Sequence, residues 1–229
     1  EAVSEFHKRG VKRIHHAMEA YRALADAMWK DTKHPAKQAM ILLRGNLISS
    51  DHMASAHVGE LPKPQLSNPE QIIAKLKLDE PYAHQTECRN IRGSAVLMAP
   101  TGSGKTEAAL LWAVSQGASR LYYTLPFQAS MNAMEKRLTE DEKNEQDKIT
   151  REAPFKGQVG LEHSRSTLAY YRRLFYENEN ADPKQVTKAA KWLKNLAELN
   201  YYPVRILSPY QLLKAPYRLK GYETLLTDC

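Results

Sequence analysis

The amino-acid sequence predicts an α/β fold in which an all-helical N-terminal piece precedes a parallel β-sheet flanked by helices. Two observations carry this prediction. Apolar residues recur at spacings of three and four over the first 57 residues, as in amphipathic helices. From Ile72 onward, short apolar segments alternate with helical segments. Such alternation over crossover-length connections is typical of a parallel sheet with helices on its faces.

Residues 1–30 and 36–57 are the two predicted N-terminal helices, with a break at 31–35. In the second helix Met40, Leu43, Leu47, Ile48 and Ala54 are predicted to face inward. Asp51 follows Leu47 by four residues and is therefore predicted on the same apolar face. A carboxylate there needs a partner, because an unpaired buried charge is costly. A salt bridge, a position at the margin of the apolar face and a metal ligand are the three open interpretations of Asp51.

Residues 58–70 contain three prolines in thirteen residues and no periodicity, which predicts a linker. The sequence therefore divides into a helical domain at 1–57, a linker at 58–70 and an α/β domain at 71–229. Within the α/β domain the predicted strands are 95–98, 120–125, 158–161 and 204–207. The predicted helices are one that follows the glycine turn and ends at Gly117, those at 128–138, 166–177 and 183–199, and a last helix starting near Tyr210. Residues 139–152 are predicted to be a charged, solvated stretch.

The composition is that of a folded, soluble, basic protein of 229 residues with a net charge of +7. Residues 183–220 hold eight Lys and Arg against one Glu. This basic stretch is either a solvated helix face or a surface for a polyanion such as nucleic acid. The charged N-terminus, the absence of a long apolar run and the two cysteines predict no membrane segment and a cytoplasmic location.

The turn from Ala99 to Thr106 has the spacing of a phosphate-binding loop, with Ala99 in place of the first glycine. Gly102 and Gly104 permit successive backbone N–H groups to point at one phosphate. Lys105 supplies a charge for the β and γ phosphates, and the Thr106 hydroxyl is a ligand for Mg²⁺. The turn therefore predicts binding of a nucleoside triphosphate, against the alternative of a chance glycine-lysine turn.

Three segments carry a resemblance to a known family: APTGSGKTEAALLWA (99–113), LYYTLPFQASMNAM (121–134) and ILSPYQLLKAPYRLKGYE (206–223). They resemble the first RecA-like domain of superfamily 2 helicases. More narrowly, they are similar to the helicase/nuclease that degrades target DNA in type I CRISPR-Cas systems. LLRGNLISSDHMASAH (42–57) resembles the end of the HD nuclease domain that precedes the helicase in that family.

The resemblance implies an ATP and Mg²⁺ site with Lys105 and Thr106 as its catalytic residues. Gln85 stands where such helicases read adenine, although a polar residue in a connecting turn is the alternative. The implied nucleotide-binding residues are Gln85, Ala99, Pro100, Thr101, Gly102, Ser103, Gly104, Lys105, Thr106 and Glu107.

The resemblance also implies contacts to single-stranded DNA from loops that follow strands. The implied residues are Pro126, Phe127, Gln128, His163, Ser208, Pro209 and Gln211. For residues 126–128 the alternative is an ordinary strand-to-helix connection. For His163 the alternative is a structural side chain.

Asp51 takes the position of the family's metal-ligating aspartate, which implies a divalent transition metal that activates water against a phosphodiester. His15 and His16 match the family's paired histidine ligands poorly. The HD dipeptide, the D-E-x-H box and the second RecA-like domain are missing from these 229 residues. The resemblance therefore implies a fragment, incomplete at the C-terminus and inactive alone, of a DNA helicase recruited by the RNA-guided CRISPR surveillance complex. Another superfamily 2 helicase, acting on RNA, and a non-catalytic binding module are the alternatives.

Overall fold

The computed structural model describes residues 2–30, 36–55, 57, 69–78, 80–178, 180–217 and 225. The predicted break at 31–35 and most of the predicted linker lie outside the described residues. The helices are α1 Ala2–Lys30, α2 Ala36–Ser55, α3 Pro69–Leu76, α4 Ala83–Asn90, α5 Lys105–Ser115, α6 Gln128–Thr139, α7 Ser166–Glu177, α8 Pro183–Glu198, α9 Pro209–Leu212 and α10 Lys214–Tyr217. The strands are β1 Leu121–Thr124, β2 Glu142–Lys143, β3 Ile149–Arg151, β4 Val159–Glu162 and β5 Val204–Leu207.

A three-stranded parallel sheet in the order β1-β5-β4 confirms the predicted α/β class. Thr124 of β1 and Glu162 of β4 both pair with Leu207 of β5, so the three strands end at one edge. The strands are parallel because helices connect them: α6 follows β1, and α7 with α8 joins β4 to β5. All four residues of the central strand are buried, as expected for a strand covered on both faces.

The core lies between this sheet and the helices that flank it. Its buried members include Leu110, Leu111, Met131, Leu138, Phe155, Leu161, Tyr170, Val204 and Ile206. The hydroxyl of Tyr170 accepts a hydrogen bond from the backbone N–H of Leu161 at 2.7 Å. That N–H belongs to β4, which lies at an edge of the sheet, so a tyrosine side chain supplies the partner that a further strand would give.

The strand predicted at 95–98 is not formed among the described residues. Residues 94–100 have no regular secondary structure, and the side chains of Val96 and Met98 are 92% and 91% exposed. A short apolar run becomes a strand when another strand pairs with it and a core covers it, and the described sheet provides neither here.

The N-terminal helices form where the periodicity predicts them, but the prediction that Leu43 and Leu47 face inward is wrong. Their side chains are 63% and 69% exposed, and Ala54 is exposed as well. On α1, Val11, Ile14, Met18 and Tyr21 are also at least half exposed. Periodicity fixes the face of a helix that is apolar, whereas burial also needs a neighbour on that face.

The predicted charged, solvated stretch at 139–152 contains a small antiparallel hairpin of β2 and β3. The Asn144 side chain holds its turn by accepting from the backbone N–H groups of Gln146 and Lys148, each at 3.0 Å. Asparagine favours this kind of turn because its side chain replaces a backbone acceptor. The hairpin has no clear sequence signal, because its strands are only two and three residues long and both residues of β2 are charged.

His163 follows β4 and ties it to α6. Its Nδ1 accepts the backbone N–H of Arg165 at 3.1 Å, so Nε2 carries the proton and donates to Asn132 Oδ1 at 2.8 Å. Burial lowers the pKa of this imidazole below its ordinary value. The neutral ring is therefore the form that fits the folded protein.

We predict that stability falls as the pH drops below about 6.5, where a histidine of the unfolded chain takes up a proton that His163 of the folded chain resists. Between pH 7 and pH 5 the protein should therefore lose stability through His163 as the pH falls. His163→Gln should be less stable at pH 7 but should show a shallower decline, as measured by urea unfolding across this range. His16→Gln, at an exposed position, is the control and should keep the wild-type slope. Equal slopes for all three proteins would contradict the prediction.

Candidate nucleotide and nucleic-acid site

A cleft of about 390 Å³ lies where α4, the turn before α5 and the end of α6 meet. It is lined by Leu76, Leu78, Tyr82, Gln85, Thr101, Gly102, Gly104, Lys105, Thr106, Glu107 and Arg137. Leu76 of α3 and Leu78 after it give the lining an apolar part, and the glycine turn and the start of α5 give it a polar part. The cleft thus brings together most of the residues predicted to bind nucleotide.

The backbone of the turn requires its glycines. Gly102 and Gly104 have φ values of 81° and 76°, in the left-handed region that side chains disfavour. A Cβ on Gly104 would collide with the side-chain amide of Gln85. Gly104 is also the N-cap of α5, so the first unpaired N–H groups of that helix face the turn. The arrangement suits an anion, because N–H groups and the positive end of the helix dipole converge there.

Lys105 folds back over the turn. Its Nζ donates to the backbone oxygens of Ala99 at 2.9 Å and Pro100 at 2.6 Å. The Ser103 hydroxyl donates to the same oxygen of Pro100 at 2.8 Å. These acceptors are neutral carbonyls, so a phosphate would compete for the ammonium group with the advantage of its charge.

Thr106 is half-buried beneath the turn and hydrogen-bonds Tyr123 of β1. Burial raises the pKa of the Tyr123 phenol, and the hydrogen bond to Thr106 opposes this effect. The phenol is therefore neutral at neutral pH. Thr106 also lines the cleft, next to Lys105.

Gln85 joins α4 to the turn. It is 2% exposed; its Oε1 accepts from the backbone N–H of Tyr82 at 2.9 Å, and its Nε2 donates to the backbone oxygen of Gly104 at 3.2 Å. Each end of the amide keeps one further hydrogen-bonding position, since the oxygen has two lone pairs and the nitrogen two hydrogens. The reading of adenine by Gln85 stays a prediction, and the geometry leaves one acceptor and one donor for it.

Tyr82 and His84 flank Gln85 on the same helix start. Their rings stack with centroids 5.7 Å apart, and the Tyr82 side chain is 62% exposed. His84 Nε2 lies 2.9 Å from the backbone oxygen of Ser103, so it gives a second tie between α4 and the turn. These two rings were not among the predicted site residues, because neither their exposure nor their stacking can be read from the sequence.

Glu107 and Arg137 form an ion pair inside the cleft. Glu107 is buried, and its Oε1 accepts from Nη2 of Arg137. Its other oxygen, Oε2, is buried without a hydrogen-bond partner among the described residues. Arg137 lies 30 residues further along the chain, at the end of α6. No motif contains both residues. The sequence therefore predicted Glu107 as a nucleotide contact but gave no indication of Arg137.

The residues predicted to touch DNA gather at the edge where the parallel strands end. Phe127 and Tyr210 each lie three residues beyond the paired residues Thr124 and Leu207. Their side chains are 70% and 76% exposed. Pro126, Gln128 and Pro209 are exposed as well, and Ser208 is half-buried as the N-cap of α9. Tyr210 was not among the predicted DNA contacts, because that prediction named only its neighbours Ser208, Pro209 and Gln211.

Two predicted DNA contacts are engaged within the protein. Gln128 Nε2 donates to Ser164 Oγ at 2.9 Å, an exposed bond that a ligand can replace. His163 is buried with both ring nitrogens bonded, which fits the structural alternative better than a surface contact. Gln211 is half-buried, and its Oε1 has no hydrogen-bond partner in the described part of the chain. Gln211 lines a second cavity, of about 1120 Å³, between α2, α8 and the start of α9.

The basic stretch at 183–220 divides into two parts. Lys184, Lys188 and Lys191 are exposed on α8, which is the solvated face that the sequence left open. Arg205 is instead buried, where it pairs with Glu162 and lies over the Tyr122 ring. The excess of positive charge is therefore not one continuous surface.

Asp51 is exposed on α2, so the interpretation of it as a buried acid in need of a partner is wrong. Leu47 on the same face is exposed too, which removes the desolvation cost. Across the described residues no three His, Cys, Asp or Glu side chains are grouped to hold a metal. His15 lies 3.4 Å from Glu19 on the surface of α1, and His16 is exposed. The metal role of Asp51 stays a prediction.

No helix in the described ranges is both long enough and apolar enough to cross a membrane. The sequence analysis expected no membrane segment.

Comparison with known proteins connects the cleft to a family. Residues 82–193, from α4 into α8, match the DEAD/DEAH box helicase family. This range contains the whole glycine turn, β1, α6 and β4, and it ends before β5. The cleft and the first of the two predicted DNA loops are therefore parts of a recognised helicase domain.

Two curated relatives are similar over parts of the chain. The putative CRISPR-associated nuclease/helicase Cas3 of Methanocaldococcus jannaschii is 32% identical over 130 residues, covering 47% of this chain and 18% of the relative. The CRISPR-associated nuclease/helicase Cas3 of Methanothermobacter thermautotrophicus is 47% identical over 47 residues, covering 20% of this chain and 6% of the relative. The matches thus span less than a fifth of the length of either relative. No solved structure matches the chain. Together, these matches show a DEAD/DEAH box helicase domain over residues 82–193 and a similarity to Cas3 nuclease/helicases over parts of the chain.

Proposed function

We propose that this chain forms the nucleotide-binding and strand-binding part of an ATP-dependent DNA helicase that carries a metal-dependent nuclease and acts in CRISPR defence. The observation that carries the proposal is the cleft, in which a left-handed glycine turn, Lys105, Thr106 and Gln85 converge. The family resemblance supplies the further parts, namely the DNA substrate, the nuclease and recruitment by an RNA-guided surveillance complex.

ATP fits the cleft through three sets of groups. The N–H groups at the start of α5 bind phosphate oxygens, and Lys105 exchanges two carbonyl acceptors for them. The remaining donor and acceptor of Gln85 face the base. Thr106 would hold Mg²⁺, which when bound neutralises charge on the β and γ phosphates.

We predict that Lys105→Ala weakens binding of a fluorescent ATP analogue, measured with Mg²⁺, by about tenfold or more, because a charge-assisted hydrogen bond is lost. Lys148→Ala removes an exposed lysine of the β2-β3 hairpin, outside the cleft, and should bind as the wild type does. Identical affinities for the wild type and Lys105→Ala would refute a nucleotide site at this turn.

Single-stranded DNA fits the edge at which β1, β5 and β4 end. Exposed aromatic rings and loop hydroxyl and amide groups follow two adjacent strands there. Such edges suit a strand because bases stack on rings while loop N–H groups contact the phosphates. We infer the nuclease domain, its metal and the surveillance complex as a partner from the family resemblance, including that of residues 42–57, and from the names of the relatives.

We predict that Phe127→Ala weakens binding of an unstructured DNA oligonucleotide by about tenfold, the loss expected for one stacked base. Tyr176→Ala is the matched control, since Tyr176 is an equally exposed ring at the far end of α7. Fluorescence anisotropy at fixed salt measures both variants. Equal binding of the two variants would exclude the proposed edge, and tighter binding of an RNA oligonucleotide of the same sequence would favour an RNA helicase instead.

For the metal, we predict that Asp51→Asn in a full-length protein abolishes metal-dependent cleavage of single-stranded DNA while ATPase activity is retained. The expected cause is loss of one carboxylate ligand of a divalent transition metal. Cleavage is measured on a labelled strand with Mn²⁺, and Asp26→Asn on α1 serves as an exposed control. Unchanged cleavage by Asp51→Asn would remove Asp51 from the metal site.

A further inference from the structure

Arg137 is a cation of the cleft to which neither the motifs nor the relatives' names give a role. It projects from the end of α6 into the wall that also contains Lys105 and Thr106. Its side chain is 40% exposed. A guanidinium that is half accessible inside a phosphate-binding cleft can reach a ligand without any change of fold.

Glu107 determines where this guanidinium lies. Only Nη2 of Arg137 is used in the bond to Glu107 Oε1, and within the described chain this is the one hydrogen bond recorded for the Arg137 side chain. The N–H groups of Nε and Nη1 therefore remain for another acceptor. The backbone of Arg137 is fixed as well, because Arg151 Nη1 donates to its carbonyl oxygen at 2.8 Å.

The pair lies at the phosphate end of the cleft. Glu107 directly follows Thr106, and the Tyr123 phenol that bonds Thr106 is within electrostatic reach of both Arg137 and Glu107. The lining includes two cations, Lys105 and Arg137, against the single carboxylate of Glu107. The polar end therefore has an excess of positive charge for an anionic ligand.

We propose that Arg137 binds phosphate oxygens of the nucleotide as the second cation of the cleft and that Glu107 is the positioning residue that holds it there. The planar fork of an arginine suits this double role, since it can bond a carboxylate on one side and a phosphate on the other. Lysine presents a compact point charge on a flexible stem, so it would hold the two partners less rigidly than the planar guanidinium does. The proposal rests on the proposed function, because it assumes that the cleft binds a nucleoside triphosphate.

Arg173 provides a matched control. It pairs with Glu135, a buried carboxylate of the same helix α6, but neither residue lines the cleft. Arg173→Ala and Arg137→Ala each remove one partner of a buried ion pair. Both variants should melt at lower temperature than the wild type, whereas only the second should lose nucleotide affinity.

The first measurement is binding of a fluorescent ATP analogue with Mg²⁺ by the whole chain. Arg137→Ala should bind about tenfold more weakly than the wild type, Arg137→Lys should lie between them, and Arg173→Ala should bind as the wild type does. Wild-type affinity in Arg137→Ala, beside a clear loss in Lys105→Ala, would overturn this proposal and leave the nucleotide site intact. Binding by the wild type that does not depend on Lys105 would overturn both.

The second measurement tests the positioning role by a double-mutant cycle. In Arg137→Ala the carboxylate of Glu107 is left unpaired and repels the phosphates. Adding Glu107→Gln should therefore restore part of the lost affinity, and the double variant also avoids the buried charge that threatens folding. Glu107→Gln alone should weaken binding two- to threefold, because the guanidinium is held less firmly. A further loss in the double variant would show that Glu107 itself contacts the nucleotide or its metal, and would contradict the positioning role.

Discussion

The cleft depends most on one buried contact, the hydrogen bond that the side chain of Gln85 donates to the backbone oxygen of Gly104. It ties the turn to α4, as the bond between His84 and Ser103 also does, and it leaves no room for a side chain at position 104. The left-handed backbone of Gly104 then starts α5 with its N–H groups facing the cleft. The groups proposed to read the base and to bind phosphate are thus joined through a buried amide, so the two ends of a nucleotide would be registered against a single element.

The parallel sheet supplies the second constraint. Since β1, β5 and β4 run in one direction and end in register at Thr124, Leu207 and Glu162, the segments after them share one edge. A loop that follows each strand therefore lies beside the others without any contact between the loops being required. The loop residues proposed to contact DNA lie at that edge because of the geometry of the sheet. In addition, β1 connects the edge to the cleft through the bond between Tyr123 and Thr106.

The sequence predicted those parts of the fold and site that depend on local chemistry. The bounds of β5 and α7 came from apolar runs and turn residues, and the glycine turn came from residues adjacent in the chain. The cleft at the turn was expected because glycine, lysine and threonine at fixed spacing have few other uses. Gln85 came from the resemblance to superfamily 2 helicases, which have an adenine-reading glutamine at this place.

The sequence could not predict what depends on neighbours from elsewhere in the chain. Arg137 of α6 reaches Glu107 of α5 only in the folded chain, 30 residues away in sequence, which no motif spacing reveals. Residues 95–98 have the composition of a strand but no partner in the described sheet, and Leu43 and Leu47 have helical periodicity but no covering surface. Pattern shows what a segment is able to bury; tertiary contacts decide whether it is buried.

The most direct test of a nucleotide-binding cleft is an experimental structure of this chain with a non-hydrolysable ATP analogue and Mg²⁺. We predict that Lys105 Nζ leaves the carbonyl oxygens of Ala99 and Pro100 and binds the phosphates. Gln85 should keep its bond to Gly104 and direct the remaining donor and acceptor of its amide to the base. An analogue bound elsewhere, or a Lys105 that stays on the two carbonyls beside a bound analogue, would contradict the account.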